Sequence, residues 1–165
     1  MGISKRLKTI ADLVTPGLTV ADIGTDHGFV PVYLVRNNIS PFVFAADVSK
    51  GSLEKARENV TYFHLEDRIE CRLSDGFSAF SPGEAECAVI SGMGGILIAK
   101  ILSASPLVTD FLKEVILSPH RDAELVRECV FEAGFKIITD MEIEDKKKKY
   151  VIIKAVREPK NIEIH

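Results

Sequence analysis

The amino-acid sequence predicts an α/β fold, a mostly parallel sheet with helices on both faces and a C-terminal antiparallel hairpin strand. Three observations carry that expectation. Short apolar runs of strand length alternate with segments of helical periodicity as far as Gly134. The early runs stop at glycine or aspartate, residues that turn a chain sharply. The last two runs, 135–142 and 150–156, are separated only by the charged stretch Glu144 to Lys149, which leaves no room for a helix and so makes a hairpin.

Each element has its own reason. Residues 4–14 place Leu7, Ile10, Ala11 and Val14 on one helical face, and Thr15-Pro16-Gly17 ends that helix because proline resists continuation. Leu18–Ile23 reads as a buried strand that breaks at Gly24, and a helix over 28–36 is closed by Asn37-Asn38. Pro41 opens a second strand, Phe42–Ala46, ending at Asp47. Ser49, or Ser52 one turn on, caps a helix with Ala56 and Val60 facing inward. Arg68–Leu73 is a third strand, ending at Ser74-Asp75-Gly76. Cys87–Ser91 is a fourth, and Gly92-Met93-Gly94-Gly95 leads from it into a helix through Leu102. Val115–Leu117 ends a further strand, Pro119 breaks it, and Ala123–Glu132 is helical up to Gly134. These segments read as five strand-then-helix units followed by the hairpin.

A chain of 165 residues suits a single domain, 1–165, with a core large enough to need no disulfide staples. Hydrophobic residues at 46% and charged residues at 27% are ordinary for a globular protein. A net charge of −3 argues against a protein that grips nucleic acid over its whole surface, while permitting a local basic patch. The basic clusters are Lys5, Arg6 and Lys8 near one end and Lys146–Lys149 near the other. Cys71, Cys87 and Cys129 lack CxxC spacing, so neither a disulfide framework nor a metal site is expected. No apolar run approaches the ~20 residues of a membrane helix, and no signal segment follows Met1 to Lys8. The expected location is therefore cytoplasmic, without a membrane partner.

Parallel sheets of this kind bind ligands beyond the carboxyl ends of their strands. Gly24–Gly28, Asp47, Asp75-Gly76, Gly92–Gly95 and Ser118–His120 occupy those ends. A dinucleotide site would show GxGxxG at the first, but the sequence has Gly24-Thr25-Asp26-His27-Gly28. A carboxylate inside the loop repels a pyrophosphate and favours a cationic or zwitterionic ligand, and S-adenosylmethionine meets that requirement. Asp47 can accept hydrogen bonds from both hydroxyls of a ribose. Asp75 can accept from an adenine amino group, with Gly76 leaving space for the ring. The expected cofactor-binding set is Gly24, Thr25, Asp26, Gly28, Asp47, Val48, Asp75, Gly76, Gly92 and Met93. Three glycines within Gly92-Met93-Gly94-Gly95 make sense where backbone lies close to a flat substrate, although a tight turn with Met93 as a core plug is the plainer alternative.

Ser4-Lys5-Arg6-Leu7, Ala21-Asp22-Ile23-Gly24-Thr25-Asp26-His27, Ser74-Asp75-Gly76 and Ser91-Gly92-Met93-Gly94-Gly95 together resemble the bacterial tRNA (adenine-22-N1)-methyltransferase family, TrmK. The resemblance runs from Ser4 to the hairpin near Val156. It implies a Rossmann-like class I methyltransferase sheet, S-adenosylmethionine as cofactor, and tRNA as the partner, methylated on N1 of an adenine in the D-arm. Two departures stand out. The family continues into a helical C-terminal domain that these 165 residues lack, and Ser118-Pro119-His120 stands where the family more often has Gln-Pro-Asn.

Adenine N1 carries a lone pair, so the expected reaction is an in-line displacement that depends chiefly on alignment. Positive charge moves to the base, and Asp26 is the expected catalytic residue because a carboxylate there can stabilise it. Its structural alternative is to cap the following helix or bind an ammonium. Arg6, His27, Gly94 and His120 are expected on the substrate side. Rival readings are a methyltransferase of small molecules or proteins with the same cofactor site, and a non-catalytic adenosyl-binding module. A dehydrogenase is disfavoured by Asp26.

Overall fold

The computed structural model describes residues 2–158, so the expected domain span of 1–165 extends past the described residues at both ends. A seven-stranded sheet runs in the order β3-β2-β1-β4-β5-β7-β6. Its strands are β1 (Val20–Ile23), β2 (Val43–Asp47), β3 (Ile69–Leu73), β4 (Cys87–Met93), β5 (Glu114–Pro119), β6 (Phe135–Asp145) and β7 (Lys148–Arg157). The pairs β1–β2, β1–β4, β2–β3 and β4–β5 are parallel, whereas β7 is antiparallel to both β5 and β6. The helices are α1 (Lys5–Asp12), α2 (Phe29–Arg36), α3 (Lys50–Tyr62), α4 (Gly95–Ala104), α5 (Pro106–Thr109) and α6 (Ala123–Glu132).

Serine caps two helices: Ser49, one of the two expected positions, and Ser4, which stands before α1 and not within it. Ser4 accepts the Leu7 amide proton at 3.2 Å and Ser49 accepts that of Ser52 at 3.2 Å, each satisfying a donor that a helix start leaves open. Such a cap is worth about 1 kcal/mol. Ile10, Ala11 and Val14 are buried as the amphipathic pattern requires. Central strands β1, β2 and β5 are buried at every residue, as a sheet covered on both faces demands. Two apolar layers result, one on each face. Phe44, Phe77, Ile98, Leu102 and Val130 belong to one, and Ile10, Leu34, Val60 and Ile116 to the other.

Three expectations need correction. No helix follows β3: residues 74–86 form turns in which Phe77 and Phe80, 6.0 Å apart edge to face, plug the core. The count of five strand-then-helix units was therefore one too many. Second, β4 continues through Gly92 and Met93, with a bulge between Ser91 and Met93, and Pro119 closes β5 within the ladder opposite Met93. Third, the hairpin strands run closer together than the charged stretch implied. Glu144 and Asp145 pair with Lys149 and Lys148, leaving only Lys146 and Lys147 in the turn.

Candidate functional site

The register of the sheet brings the carboxyl ends of β1, β2, β4 and β5 to one rim, because Ile23 lies opposite both Ala46 and Ile90, and Ser91 opposite Ser118. The loop from Gly24 to Gly28 is the centre of that rim. The amides of Gly24 and Thr25 both donate to the Ala46 carbonyl at 2.9 Å, which folds the chain back over the end of β2. That fold requires positive φ at Gly24 (75°), Asp26 (57°) and Gly28 (75°). Two of these are glycines, and aspartate is among the few other residues that tolerate the left-handed region.

Asp47 fastens the loop. Its Oδ2 accepts the Asp26 amide proton at 3.0 Å and its Oδ1 accepts that of Ser49 at 2.9 Å. Each carboxylate oxygen has two lone pairs, so further hydrogen bonds remain open to a ligand. Asn59 on α3 donates to the His27 carbonyl at 2.8 Å and holds the far side of the loop. His27 stacks on Phe29 at 5.4 Å, and its Nδ1 lies 3.0 Å from Asp26 Oδ1 while making no hydrogen bond. The Asp26 side chain is 70% exposed and open to the rim.

Behind the loop sits a carboxylate to which the sequence reading assigned no role. Asp22 is 3% exposed and accepts the Thr25 hydroxyl at 2.8 Å. Burial pushes its pKa up to about 7; the Thr25 hydrogen bond opposes this, and the charges of Asp47 and Asp26 add to it. Its signal was visible, since an aspartate inside a four-residue buried strand is an anomaly that calls for a reason. Asp22, Asp26 and Asp47 together make the centre of the rim electronegative.

Along β3 the chain turns through Ser74-Asp75-Gly76. Ser74 Oγ donates to the Gly76 carbonyl at 2.7 Å, and Asp75 is exposed. A cavity of about 230 Å³ opens here, lined by Asp75, Gly76, Phe77, Leu97 and Ile101 among others. A Cβ on Gly76 would come 3.2 Å from Ile101, so the wall is close-packed. Val48, just after β2, is 70% exposed. An uncovered aliphatic side chain beside a polar rim suits a flat apolar ligand face.

The β4 end divides its glycines by role. A Cβ on Gly24 would lie 2.9 Å from Met93 Cε, so Met93 reaches the centre of the rim. Gly92 has φ of 78° at the bulge. A Cβ on Gly95 would collide with the Asp122 carbonyl, and the Gly95 amide donates to the Arg121 carbonyl at 2.8 Å. Gly95 thus serves the packing of α4 against the loop before α6, which corrects the idea that all three glycines face a substrate. Gly94 lies against the Arg121 side chain, and the His120 amide donates to the Met93 carbonyl at 3.0 Å.

His120 and Arg6 meet through a residue absent from the expected set. The Tyr150 ring lies 6.5 Å from that of His120, and the Arg6 guanidinium sits 4.7 Å over Tyr150. Nothing in the sequence pairs residues 6, 120 and 150; the antiparallel placement of β7 beside β5 brings Tyr150 to His120, and the docking of α1 on the hairpin brings Arg6.

A methyltransferase-domain model matches residues 3–153. The tRNA (adenine(22)-N(1))-methyltransferase of Bacillus subtilis is 33% identical over 153 residues, covering 93% of this chain and 64% of its own length. The crystal structure of B. subtilis TrmK, 33% identical, superposes with a TM-score of 0.90 over 95% of this chain and 67% of that one. The chain belongs to the TrmK family. A Streptococcus pneumoniae relative crystallised with S-adenosyl-L-methionine is 30% identical, with a TM-score of 0.91 over 98% of this chain and 76% of that one. The structure of M. capricolum TrmK in complex with S-adenosyl-homocysteine is 26% identical, with a TM-score of 0.87 over 98% of this chain and 72% of that one. The chain therefore spans just under two-thirds of the length of the curated B. subtilis relative.

Proposed function

We propose that this chain transfers a methyl group from S-adenosylmethionine to N1 of adenine 22 in tRNA. The observation that carries the reading is the carboxylate-rimmed loop Gly24–Gly28, fastened by Asp47, in a chain of the TrmK family. Three buried or loop-bound carboxylates suit a cationic ligand and oppose a diphosphate. The residues fit S-adenosylmethionine in three places. The free lone pairs of Asp47 would take ribose hydroxyls. The cavity at Gly76, with Asp75 at its mouth and Val48 exposed nearby, would take an adenine. Asp22 and Asp26 would favour the ammonium end.

When bound, the cofactor supplies an electrophilic methyl group on a sulfonium. The protein's own task is alignment and charge. N1 attacks through its lone pair, so no residue need remove a proton first, and the base becomes positively charged as the new bond forms. Asp26, exposed on the rim, stabilises that charge. Met93, His120, Arg6 and Tyr150 form the opposite wall, where an adenine turned out of its helix would lie. Among the described residues no helix is long and apolar enough to cross a membrane.

The test is nucleoside mass spectrometry of tRNA incubated with the protein and S-adenosylmethionine. Appearance of 1-methyladenosine, mapped to position 22, is expected. Labelling of small metabolites or protein in a cell extract, with tRNA left unmodified, would overturn the assignment of substrate.

A further inference from the structure

The tip of the hairpin carries a conformational cost that its own contacts do not explain. β6 and β7 join through the pair Asp145–Lys148 by a two-residue turn, Lys146 and Lys147, with φ of 51° and 66°. Turns with positive φ at both central residues match the twist of the strands, and Asn-Gly normally fills them because other side chains are strained there. Here both positions are lysine. Both are exposed, and among the described residues neither makes a hydrogen bond or an ion pair. Strain of this kind persists where something other than stability selects the residue.

The position of the tip supplies a reason. Leu117 of β5 pairs with Ile153 of β7, and Ser118 Oγ donates to the Val151 carbonyl at 2.8 Å. Residues 145–148 therefore project beyond the carboxyl end of β5, on the rim that carries His120. The N-terminal basic cluster is tied to the same tip. Lys5 Nζ donates to the Glu144 carbonyl at 3.1 Å and the Arg6 amide to Asp145 Oδ2 at 3.1 Å. One terminal nitrogen of Arg6 is buried and makes no hydrogen bond. Glu142, Glu144 and Asp145 share this region, but Glu142 lies 3.7 Å from Lys149, and Lys146 to Lys149 with Lys5 and Arg6 outnumber the three acids. Two basic clusters separated by about 140 positions in sequence thus become one patch.

We infer that Lys146 and Lys147 are phosphate contacts for the polynucleotide whose base enters the rim, their left-handed backbone kept because no relaxed turn pair carries two positive charges. The inference rests on tRNA being the substrate. It is tested by measuring bulk tRNA binding between 50 and 200 mM salt for the full chain and for K146Q/K147Q and K146N/K147G, together with thermal midpoints. Both variants should bind roughly tenfold more weakly at about 0.1 M salt, with a log K against log salt slope shallower by about two. The glutamine pair should leave the thermal midpoint unchanged, whereas the Asn-Gly pair should raise it by a few degrees as strain is relieved. Wild-type affinity and slope in both variants would overturn the inference, and so would a lowered midpoint for the Asn-Gly pair. Failure of the unaltered chain to bind tRNA at any salt would instead remove the tRNA reading beneath it.

Discussion

Replacing Asp22 by asparagine should change how stability depends on pH. The Asp22 carboxyl titrates near 7 in the folded protein because burial strips water from its charged form, with Thr25 opposing and Asp47 and Asp26 reinforcing the shift. In the unfolded chain it titrates near the ordinary value of about 3.9. Between those values the native state holds a proton that the unfolded state has released. Stability therefore falls as pH rises from about 4, and the loss is complete above about 7. About three pH units at about 1.36 kcal/mol each set its full size near 4 kcal/mol, a sizeable part of the ~5–15 kcal/mol that holds a domain folded. Asparagine has the same shape, can still accept the Thr25 hydroxyl, and never ionises. The variant should match the wild type near pH 4.5 and exceed it by about 2–4 kcal/mol at pH 8. Urea denaturation of both proteins at four pH values between 4.5 and 8 measures this, and groups that titrate alike in both cancel from the difference. A difference that stays flat across the series would refute the burial argument. Adenosylhomocysteine carries an ammonium, so it should stabilise the wild type more than the variant at pH 8.

Two further substitutions probe the rim. Gly24→Ala puts a methyl 2.9 Å from Met93 Cε at a φ of 75°, and should cost about 1–2 kcal/mol of stability and at least about tenfold in adenosylhomocysteine affinity by calorimetry; unchanged affinity would place Gly24 away from the ligand. Asp26→Asn keeps a residue that tolerates the left-handed backbone and the amide that donates to Asp47, so it isolates the charge where alanine would also add strain. Turnover on tRNA should fall about a hundredfold, and adenosylhomocysteine affinity, which loses one of two carboxylates near its ammonium, by no more than about tenfold; equal losses in both would leave Asp26 with a cofactor role alone.

Much of this was legible because it depends on local chemistry. Glycine or aspartate near the carboxyl ends of β1, β2, β3 and β4 marked the rim, and Ser49 caps the helix it was expected to cap. Asp47 was expected to face a ribose from spacing alone, and it does stand on the rim beside the loop. What was illegible depends on how distant segments meet. Phe77 and Phe80 have the three-residue spacing that a helix also shows, and only the core they plug reveals turns instead. Gly95 resembled a ligand-facing glycine until the backbone of Asp122 was seen against it. Tyr150 could not be joined to Arg6 and His120 without knowing that β7 enters beside β5 in the opposite direction.

The double engagement of Asp47 explains why a short loop with three positive-φ residues can serve as a binding surface at all. A loop held only by its own turns would sample several shapes, and a ligand would then bear the entropy of ordering it. Here one carboxylate takes the Asp26 amide with one oxygen and the Ser49 amide with the other. The residue that would meet a ribose therefore also fixes the loop that would meet the amino-acid end and the start of α3. Asn59 fixes the same loop from α3 through the His27 carbonyl. Because both tethers come from outside the loop, its shape belongs to the sheet and to α3, and the electronegative centre made by Asp22, Asp26 and Asp47 is set before any ligand arrives. Burial chiefly, with the charges of Asp47 and Asp26 adding to it, makes an ionised Asp22 costly in the empty site, and a cation entering would lower that cost.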